Sequence, residues 1–146
     1  MLSKPKHGWS KITIGNWSDR CSYLDDVPFM LLNSLEQSCR MHKPVSVKFD
    51  AEGYEYIIIF DWFETHIISD KEDDYTHTVV SIDRDELAKE LISDILNNLP
   101  DWASWYYCRM TEDQIEERKK DLTVLCEILE RRLPSDDFKI VYKKED

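Results

Sequence analysis

The residues of this chain that could do chemistry are mainly its 30 carboxylates. General acid–base catalysis needs one carboxyl group in an apolar pocket that raises its pKa. The close pairs instead fall at expected turns and helix starts, where capping and solvation account for them. Their spacing also lacks the ligand pattern of a calcium loop, so we expect neither catalysis nor calcium binding from them. The pairs are Asp25/Asp26, Asp73/Asp74 and Asp83/Asp85.

Histidines offer a second route to chemistry. His66 and His77 fall on two expected strands joined by the loop Asp70–Asp74. If these strands were neighbours, Asp61 or Glu64 could complete a metal site. Metal sites need several ligands converging at fixed distances, and this spacing has no such signature. We therefore interpret the two histidines as a surface or cross-strand pair, and we expect no metal and no cofactor.

Motifs for nucleophilic catalysis and phosphate binding are missing from the sequence. It has no G-x-S-x-G elbow, no H-E-x-x-H motif and only three glycines. The four cysteines form no Cys-x-x-Cys pair, so we expect them to be reduced and buried as small hydrophobic side chains. The chain is therefore expected not to be an enzyme, and an unrecognised active site is kept as an alternative. The cysteines are Cys21, Cys39, Cys108 and Cys126.

Charge is the strongest signal in the sequence. The net charge is −11, and residues 50–101 alone carry fifteen acidic and three basic residues. An anionic surface repels nucleic acid and anionic lipid and attracts basic proteins at long range. We therefore expect a contiguous anionic face in the middle third of the chain. Its partner is expected to be a basic protein, and not nucleic acid or a membrane.

Basic clusters and aromatic residues complete the candidates. Arg118–Lys120 and Arg131–Arg132 are interleaved with glutamates at helical spacing, which indicates a solvated, self-paired helix face. Aromatic residues are dense after Pro100, with Trp102, Trp105, Tyr106 and Tyr107 inside six positions. Because Trp and Tyr are prominent in both binding hot spots and cores, this aromatic segment either anchors a partner or packs between helices.

Hydrophobic periodicity and capping residues place these candidates on secondary structure. Alternating patterns predict strands at 9–17 and 45–49, and aromatic and β-branched residues predict the returning strand at 54–60. Further strands are expected at 64–69, 75–82 and 138–142. Apolar stripes with four-residue and three-residue spacing predict three helices. Each helix pairs an N-terminal capping residue with a proline that ends it: Asp26 with Pro44, Asp83 with Pro100, and Thr111 with Pro134.

The resulting order, β–α–β–β–β(–β)–α–α–β, predicts an α+β fold. We expect an antiparallel sheet of four to five strands with three helices packed against it. The 146 residues predict a single domain, in which residues 1–8 form a loose basic arm and residues 143–146 a flexible tail. No apolar run could span a membrane, and the first residues lack the apolar core of a signal peptide. A cytoplasmic location is expected.

Residues Ile12–Ser18, Ser22–Pro28 and Leu31–Leu32 resemble the start of small bacterial immunity proteins, which are encoded beside polymorphic or contact-dependent toxins. The resemblance covers about the first quarter of the chain, and no functional residue is transferred from it. It implies a cytosolic protein that binds and blocks a cognate toxin domain. Families of this kind are often small acidic α+β proteins without catalytic sites.

The leading hypothesis is a non-catalytic acidic protein that neutralises a basic partner, such as a toxin nuclease domain. A charged rim would speed association and aromatic anchors would slow dissociation. Two further alternatives are a nucleic-acid mimic that blocks a DNA-binding protein, and a module that self-associates through the aromatic segment. The oligomeric state is not predicted. The expected rim is Glu64, Asp70, Glu72, Asp73 and Asp74, and the expected anchors are Trp62, Trp102 and Trp105.

Overall fold

The structure is a computed structural model that describes residues 1–106 and 108–135. It confirms the α+β class, with two antiparallel sheets and four helices over these residues. The strands are β1 (Trp9–Ile14), β2 (Trp17–Ser22), β3 (Val45–Asp50), β4 (Glu55–Phe60), β5 (Glu64–Ser69) and β6 (Thr76–Ser81). The helices are α1 (Val27–Met41, between β2 and β3), α2 (Arg84–Asn97), α3 (Leu99–Ala103) and α4 (Glu112–Arg132).

The larger sheet is an antiparallel meander in which β3, β4, β5 and β6 lie side by side in chain order. Its register places Val47 opposite Ile58, and Ile58 opposite Ile67. Because side chains alternate along a strand, one set of residues shares a single face. On this inner face Tyr56, Ile58 and Phe60 are no more than 1% exposed. The predicted sheet of four to five strands is confirmed with four strands in the described residues.

The inner face of the sheet is covered by α1 and by the β1–β2 hairpin. Helix α1 packs against β3 and β4. The Trp17 indole meets the Tyr56 ring edge-on at a centroid distance of 5.5 Å, and the Tyr56 hydroxyl donates to the Arg20 carbonyl at 2.9 Å. At the hairpin turn, a Cβ atom on Gly15 would lie only 2.6 Å from Cγ1 of Val80. The hairpin is therefore packed closely beneath β4 and β6.

The outer face of the same sheet is open. It carries the residues that alternate with the inner set, including the half-buried Ile57, Ile59 and Ile68 and the exposed Val79. Helices α2 and α4 pack on α1, and α3 packs on α4. Within residues 1–106 and 108–135, the helices therefore stack on one side of the sheet and leave the other side to solvent.

The predicted first strand, 9–17, is corrected to a hairpin. It ends at Ile14, and β2 returns from Trp17 in a separate two-stranded sheet. Gly15, with a φ of +56°, and Asn16 form the connecting turn. β2 was missed because its sequence, WSDRCS, lacks an apolar alternation; only Cys21 and Ser22 are buried. Pairing with β1 holds this polar strand in place.

Residues 1–8 are not the loose arm that we expected. Leu2 is 5% exposed and forms a β-bridge with Ile12. The Ser3 N–H donates to the Lys11 carbonyl at 3.0 Å, and the Leu2 N–H donates to the Asp94 carboxylate at 2.8 Å. Burial of one leucine and satisfaction of the backbone therefore dock the segment on the fold. The predicted strand 138–142 and the tail 143–146 lie outside the described residues.

Two of the three predicted helix starts are confirmed in full. The Asp83 carboxylate accepts the N–H groups of Asp85 and Glu86 at 2.7 and 3.4 Å, and Thr111 and Gln114 form a reciprocal capping box. Asp26 occupies the N-cap position of α1 but its side chain makes no capping bond. Over the described part of the chain, no helix combines the length and apolar composition needed to cross a bilayer.

Pro100 does not end the second helix as predicted. Helix α2 ends at Asn97, and Pro100 lies in the first turn of the short helix α3. Proline is tolerated at this position because the first N–H groups of a helix have no partner within it. The result is a chain reversal that brings Trp102 and Trp105 into the protein interior.

The four cysteines are free thiols, and three of them are buried as expected. Burial raises the pKa of Cys39 and of Cys126 to about 11, and that of Cys21 to about 12. Thiols held in this state are poor nucleophiles. Cys108 differs from the other three because it is exposed.

Candidate partner-binding surface

The predicted site residues on the four-stranded sheet lie at its two ends. Because neighbouring strands run in opposite directions, the β3–β4 turn (residues 51–54) and the β5–β6 loop (residues 70–75) share one end. We call this the acidic end. The β4–β5 loop (residues 61–63) lies at the opposite end, which we call the aromatic end because it carries Trp62 and Phe63. The residues expected to form one rim therefore occupy two separate regions.

At the acidic end, Asp70 and Glu55 are engaged in internal contacts. The Asp70 carboxylate accepts the Glu55 N–H at 2.6 Å, and the Asp70 N–H donates to the Glu55 carbonyl at 3.1 Å. The Glu55 carboxylate pairs with the Lys48 ammonium at 3.0 Å, and this hydrogen bond and charge raise the pKa of Lys48. Asp70 therefore fixes the base of the loop, which is a structural role within the predicted rim.

The cations near the acidic end are also occupied by internal contacts. Lys71 lies 3.6 Å from the Asp19 carboxylate and 5.0 Å from the centre of the Tyr54 ring. The Arg20 guanidinium stacks on Trp9 at 4.9 Å and donates to the Ala51 carbonyl at 3.1 Å. Lys71 thus contacts a carboxylate and an aromatic ring, and Arg20 contacts an aromatic ring and a backbone carbonyl. Neither cation forms an ion pair with Glu72, Asp73 or Asp74 within the described residues.

Glu72, Asp73 and Asp74 form that tip and are exposed. Within the described residues, no hydrogen-bond donor and no cation pairs with any of the three side chains. Adjacent unpaired carboxylates repel one another and retain full hydration. Their negative field is therefore available to a partner, and it is the most concentrated uncompensated charge on the sheet.

The remaining acidic residues of the middle third do not extend this patch into one contiguous face, which corrects our expectation. On α2, Glu90 and Asp94 each lie 3.1 Å from the Met1 amino group. Asp101 lies 3.4 Å from Lys4. The N-terminal segment packs along α2, and this brings its positive charges to the helix carboxylates. The paired residues lie about 90 positions apart in the sequence. The anionic surface is therefore divided, and three adjacent unpaired carboxylates occur together at the loop tip.

Asp25 is the carboxylate whose environment is most perturbed. Its Oδ2 atom accepts the Asp50 N–H at 2.6 Å. Burial raises the pKa of Asp25, the negative charge of Asp50 adds to this, and the hydrogen bond from Asp50 opposes it. The carbonyl of Asp25 also accepts the Trp105 indole N–H at 2.9 Å. These contacts tie the start of α1 to β3, which is a structural role.

An unrecognised active site would be expected to lie in a cavity of the protein. One of about 380 Å³ is lined by the N-terminal segment and the α3 region, including His7, Tyr23 and Asp101. Another of about 550 Å³ lies between α2 and the end of α4 and includes Lys89 and Glu130. Both cavities have titratable side chains in their lining, but neither includes His66 or Asp25, the carboxyl group whose pKa burial raises.

His66 and His77 form the cross-strand pair that we expected. They lie diagonally on β5 and β6, with His66 Nδ1 and His77 Nε2 2.9 Å apart and the rings stacked at a centroid distance of 5.2 Å. His66 Nε2 lies 3.7 Å from the Glu64 carboxylate. Over the described residues, no group of three or more His, Cys, Asp or Glu side chains is placed to hold a metal ion. The pair therefore belongs to the outer face of the sheet.

Trp62 is exposed at the aromatic end, as an anchor must be. Trp62 is 45% exposed and Phe63 68% exposed, with ring centroids 6.4 Å apart. The backbone beneath them is fixed, because the Trp62 and Phe63 carbonyls accept the N–H groups of Arg84 and Ile82 at 2.9 and 3.0 Å. The Arg84 guanidinium lies 5.8 Å from the Trp62 ring. Two large apolar side chains are thus presented on rigid backbone, which favours recognition.

Trp102 and Trp105 are buried, so the prediction that they anchor a partner is wrong. They are 0% and 4% exposed, and their rings pack at a centroid distance of 5.1 Å. The second of the two alternatives for the aromatic segment, packing between helices, is therefore the observed one. The sequence could not decide this, because it depends on the reversal at α3. Tyr106 is 39% exposed, and Tyr107 lies outside the described residues.

The basic clusters behave as predicted with two exceptions, Arg118 and Arg132, the second of which pairs with Glu36 on α1 at 3.1 Å. On α4, Lys119 pairs with Glu116 at 2.5 Å and Arg131 with Glu127 at 3.8 Å. Arg118 instead turns toward the interior, where its guanidinium holds both carboxylate oxygens of Asp26 at 3.0 Å. It is therefore a structural cation, and not part of a solvated face.

Comparisons with known proteins assign no family to this arrangement. The resemblance of residues 12–32 to immunity proteins consequently stays a prediction. No family model, no curated protein and no solved structure matches this chain.

Proposed function

We propose that this chain is a non-catalytic acidic binding protein that neutralises a basic partner protein, and specifically a cytoplasmic immunity protein that inhibits a cognate bacterial toxin domain. The observation that carries the proposal is the tip of the β5–β6 loop. Glu72, Asp73 and Asp74 are exposed there without a cationic partner in the described residues. Unpaired like charges destabilise a fold slightly, and a cationic partner removes this repulsion.

Electrostatics and apolar contact have separate roles in this function. The net charge of −11 and the loop tip accelerate the encounter with a basic protein, since steering raises association rates by about 10 to 1,000-fold. Dissociation is slowed by desolvated aromatic side chains. Trp62 and Phe63 are the exposed aromatic pair on rigid backbone. A toxin inhibitor needs both properties, because it must capture its target quickly and hold it.

A nucleic-acid mimic is the weaker candidate. Such a protein needs regularly spaced carboxylates along an elongated surface, to match the phosphates of a duplex. The unpaired carboxylates are instead concentrated on one loop, and those of α2 lie beside the Met1 amino group. This arrangement supports recognition of a local basic patch on a protein.

The probe that tests the proposal is the C-terminal domain of the protein encoded by the adjacent reading frame, produced as an inactive variant. We expect it to bind the purified chain with an association rate that falls steeply between about 50 and 500 mM salt, where screening shortens the range of charge interactions. Asp73→Lys with Asp74→Lys is expected to slow association at low salt about tenfold or more and to flatten the salt dependence.

The matched control is Glu117→Lys with Asp121→Lys on α4. This variant changes the net charge by the same amount at two exposed carboxylates on a helix remote in sequence from the loop. It should retain most of the wild-type rate and its salt dependence. Equal effects of the two double variants would show that only total charge matters. An absence of binding by the wild-type chain would contradict the proposed function.

A further inference from the structure

We propose that the outer face of the four-stranded sheet is the docking surface for the basic partner, with contacts that run from the acidic end to the aromatic end. This inference rests on the proposed function and assigns it a surface. The two exposed features that the function uses, the loop tip Glu72–Asp74 and the pair Trp62–Phe63, lie at opposite ends of β5. A partner that contacts both must cross the sheet.

The distance between the two ends is short enough for one partner to contact both. Strand β5 contains six residues, from Glu64 to Ser69. At about 3.3 Å per residue it spans roughly 20 Å, which is within the footprint of a standard protein interface. The inner face cannot provide the path because α1 and the β1–β2 hairpin occupy it. The outer face has no such cover among the described residues.

The outer face has the composition of an interface centre. Ile57, Ile59 and Ile68 are half-buried, Val79 is 48% exposed and Tyr75 is 79% exposed. Four of the nine exposed large hydrophobic residues in the described chain belong to residues 62–79, with Val79 on β6 and the other three in the loops at the two ends of β5. A small cavity of about 110 Å³ beside Tyr75, Ile57 and Ile68 could accept one side chain of a partner.

The size of the face explains why both ends are required. Four strands about 4.8 Å apart and roughly 20 Å long cover only about 300 to 400 Å², whereas a standard interface buries about 800 Å² on each partner. The sheet face alone is therefore too small. Addition of the loop tip and of Trp62 and Phe63 brings the surface toward the required area, with an apolar centre and a charged rim.

Charge decides between a basic partner and a second copy of this chain. The rim of the face carries Glu72, Asp73 and Asp74 at one end and Asp61 and Glu64 at the other. In a twofold dimer with antiparallel sheets, the acidic end of one copy would meet the carboxylates at the aromatic end of the other. Both copies also carry a net charge of −11. Like charges placed opposite each other disfavour this pairing, whereas a cationic protein satisfies both ends.

The experiment compares Val79→Arg with Val124→Arg, using the same adjacent-frame domain as the probe. The two valines are matched, because Val79 on β6 is 48% exposed and Val124 on α4 is 50% exposed. Both changes add one positive charge. We expect Val79→Arg to raise the dissociation rate at least tenfold, because Val79 lies midway along β6 on the proposed face. Val124→Arg on α4 should leave the rate within about twofold. Tyr75→Ala, at a more exposed position, should also raise the dissociation rate. It replaces Val79→Arg in the test if Val79→Arg does not fold.

Each outcome decides between the two proposals. If Val79→Arg and Tyr75→Ala both dissociate as the wild type does while Asp73→Lys with Asp74→Lys slows association, the function stands and the sheet face is wrong. If the wild-type chain does not bind the domain, both proposals fall. If light scattering shows a wild-type dimer that Val79→Arg dissociates, the face joins two copies of this chain, and its assignment to a basic partner is overturned.

Discussion

The guanidinium of Arg118 on α4 holds the carboxylate of Asp26 at the start of α1, with Nη1 and Nη2 each 3.0 Å from one carboxylate oxygen. The two residues are 92 positions apart. Arg118 also donates to the carbonyls of Ala103 and Trp105 at 2.9 and 3.2 Å. One side chain therefore joins α1, α4 and the segment after α3, and this explains why Asp26 makes no capping bond.

We expect Arg118→Ala to lower the free energy of unfolding by about 2 to 4 kcal/mol, because it leaves a partly buried carboxylate and two carbonyls without their donor. Arg118→Lys should recover less than half of this loss, since an ammonium group cannot bond both oxygens and both carbonyls. Urea unfolding followed by circular dichroism measures both variants. Lys119→Ala, which removes an exposed pair, is the control and should cost less than about 1 kcal/mol.

The contact between Gly15 and Val80 predicts coupling between the two sheets. Gly15→Ala must accept a φ of +56° and a Cβ atom 2.6 Å from Val80 Cγ1, so we expect a loss of about 2 to 3 kcal/mol. Val80→Ala removes the clashing methyl group. The double variant should therefore lose about 1 kcal/mol less than the sum of the single variants. Strictly additive losses in urea unfolding would show that the hairpin turn does not press on β6.

The raised pKa of Asp25 predicts that the stability of the fold depends on pH. Because burial raises the folded pKa of Asp25 above the ordinary value of 3.8, the folded state holds this proton more tightly than the unfolded state does. The contribution of protonated Asp25 to the free energy of unfolding is fully present below pH 3.8. It is lost as the pH rises through the folded pKa. Asp25→Asn should thus unfold at higher urea concentration than the wild type at pH 7, and the difference should vanish at acidic pH.

The control for this pH series is Asp73→Asn on the exposed loop, which should stay within about 0.5 kcal/mol of the wild type. A stability difference between Asp25→Asn and the wild type that grows toward low pH would contradict the assignment. Both variants keep the shape of the side chain, so packing is unchanged.

The thiols give a direct chemical test of the fold. Cys108 is exposed, while Cys21, Cys39 and Cys126 are buried. A disulfide reagent at pH 8 should label one thiol rapidly in the native chain and all four after unfolding in urea, because reaction requires both access and a thiolate. Removal of the fast reaction by Cys108→Ser identifies the site. Rapid labelling of a second thiol in the native state would place one of the other three at the surface.

The sequence by itself determined the elements whose signals are local. Alternation predicted β3, aromatic and β-branched residues predicted β4, and the strands β5 and β6 were also expected. Asp83 and the Thr111–Gln114 pair marked two helix starts correctly. Each of these features depends on residues within a few positions of one another. The α+β class and the acidic loop that contains Glu72, Asp73 and Asp74 followed from the same local patterns.

Tertiary structure decided the features that join distant parts of the chain. It paired polar β2 with β1, docked the N-terminal residues on α2, and buried Trp102 and Trp105 although their composition equally suited an interface. It also placed the acidic loop and Trp62 at opposite ends of one sheet. A side chain's exposure and partner depend on which elements pack against it, and those contacts form between residues that the sequence keeps far apart.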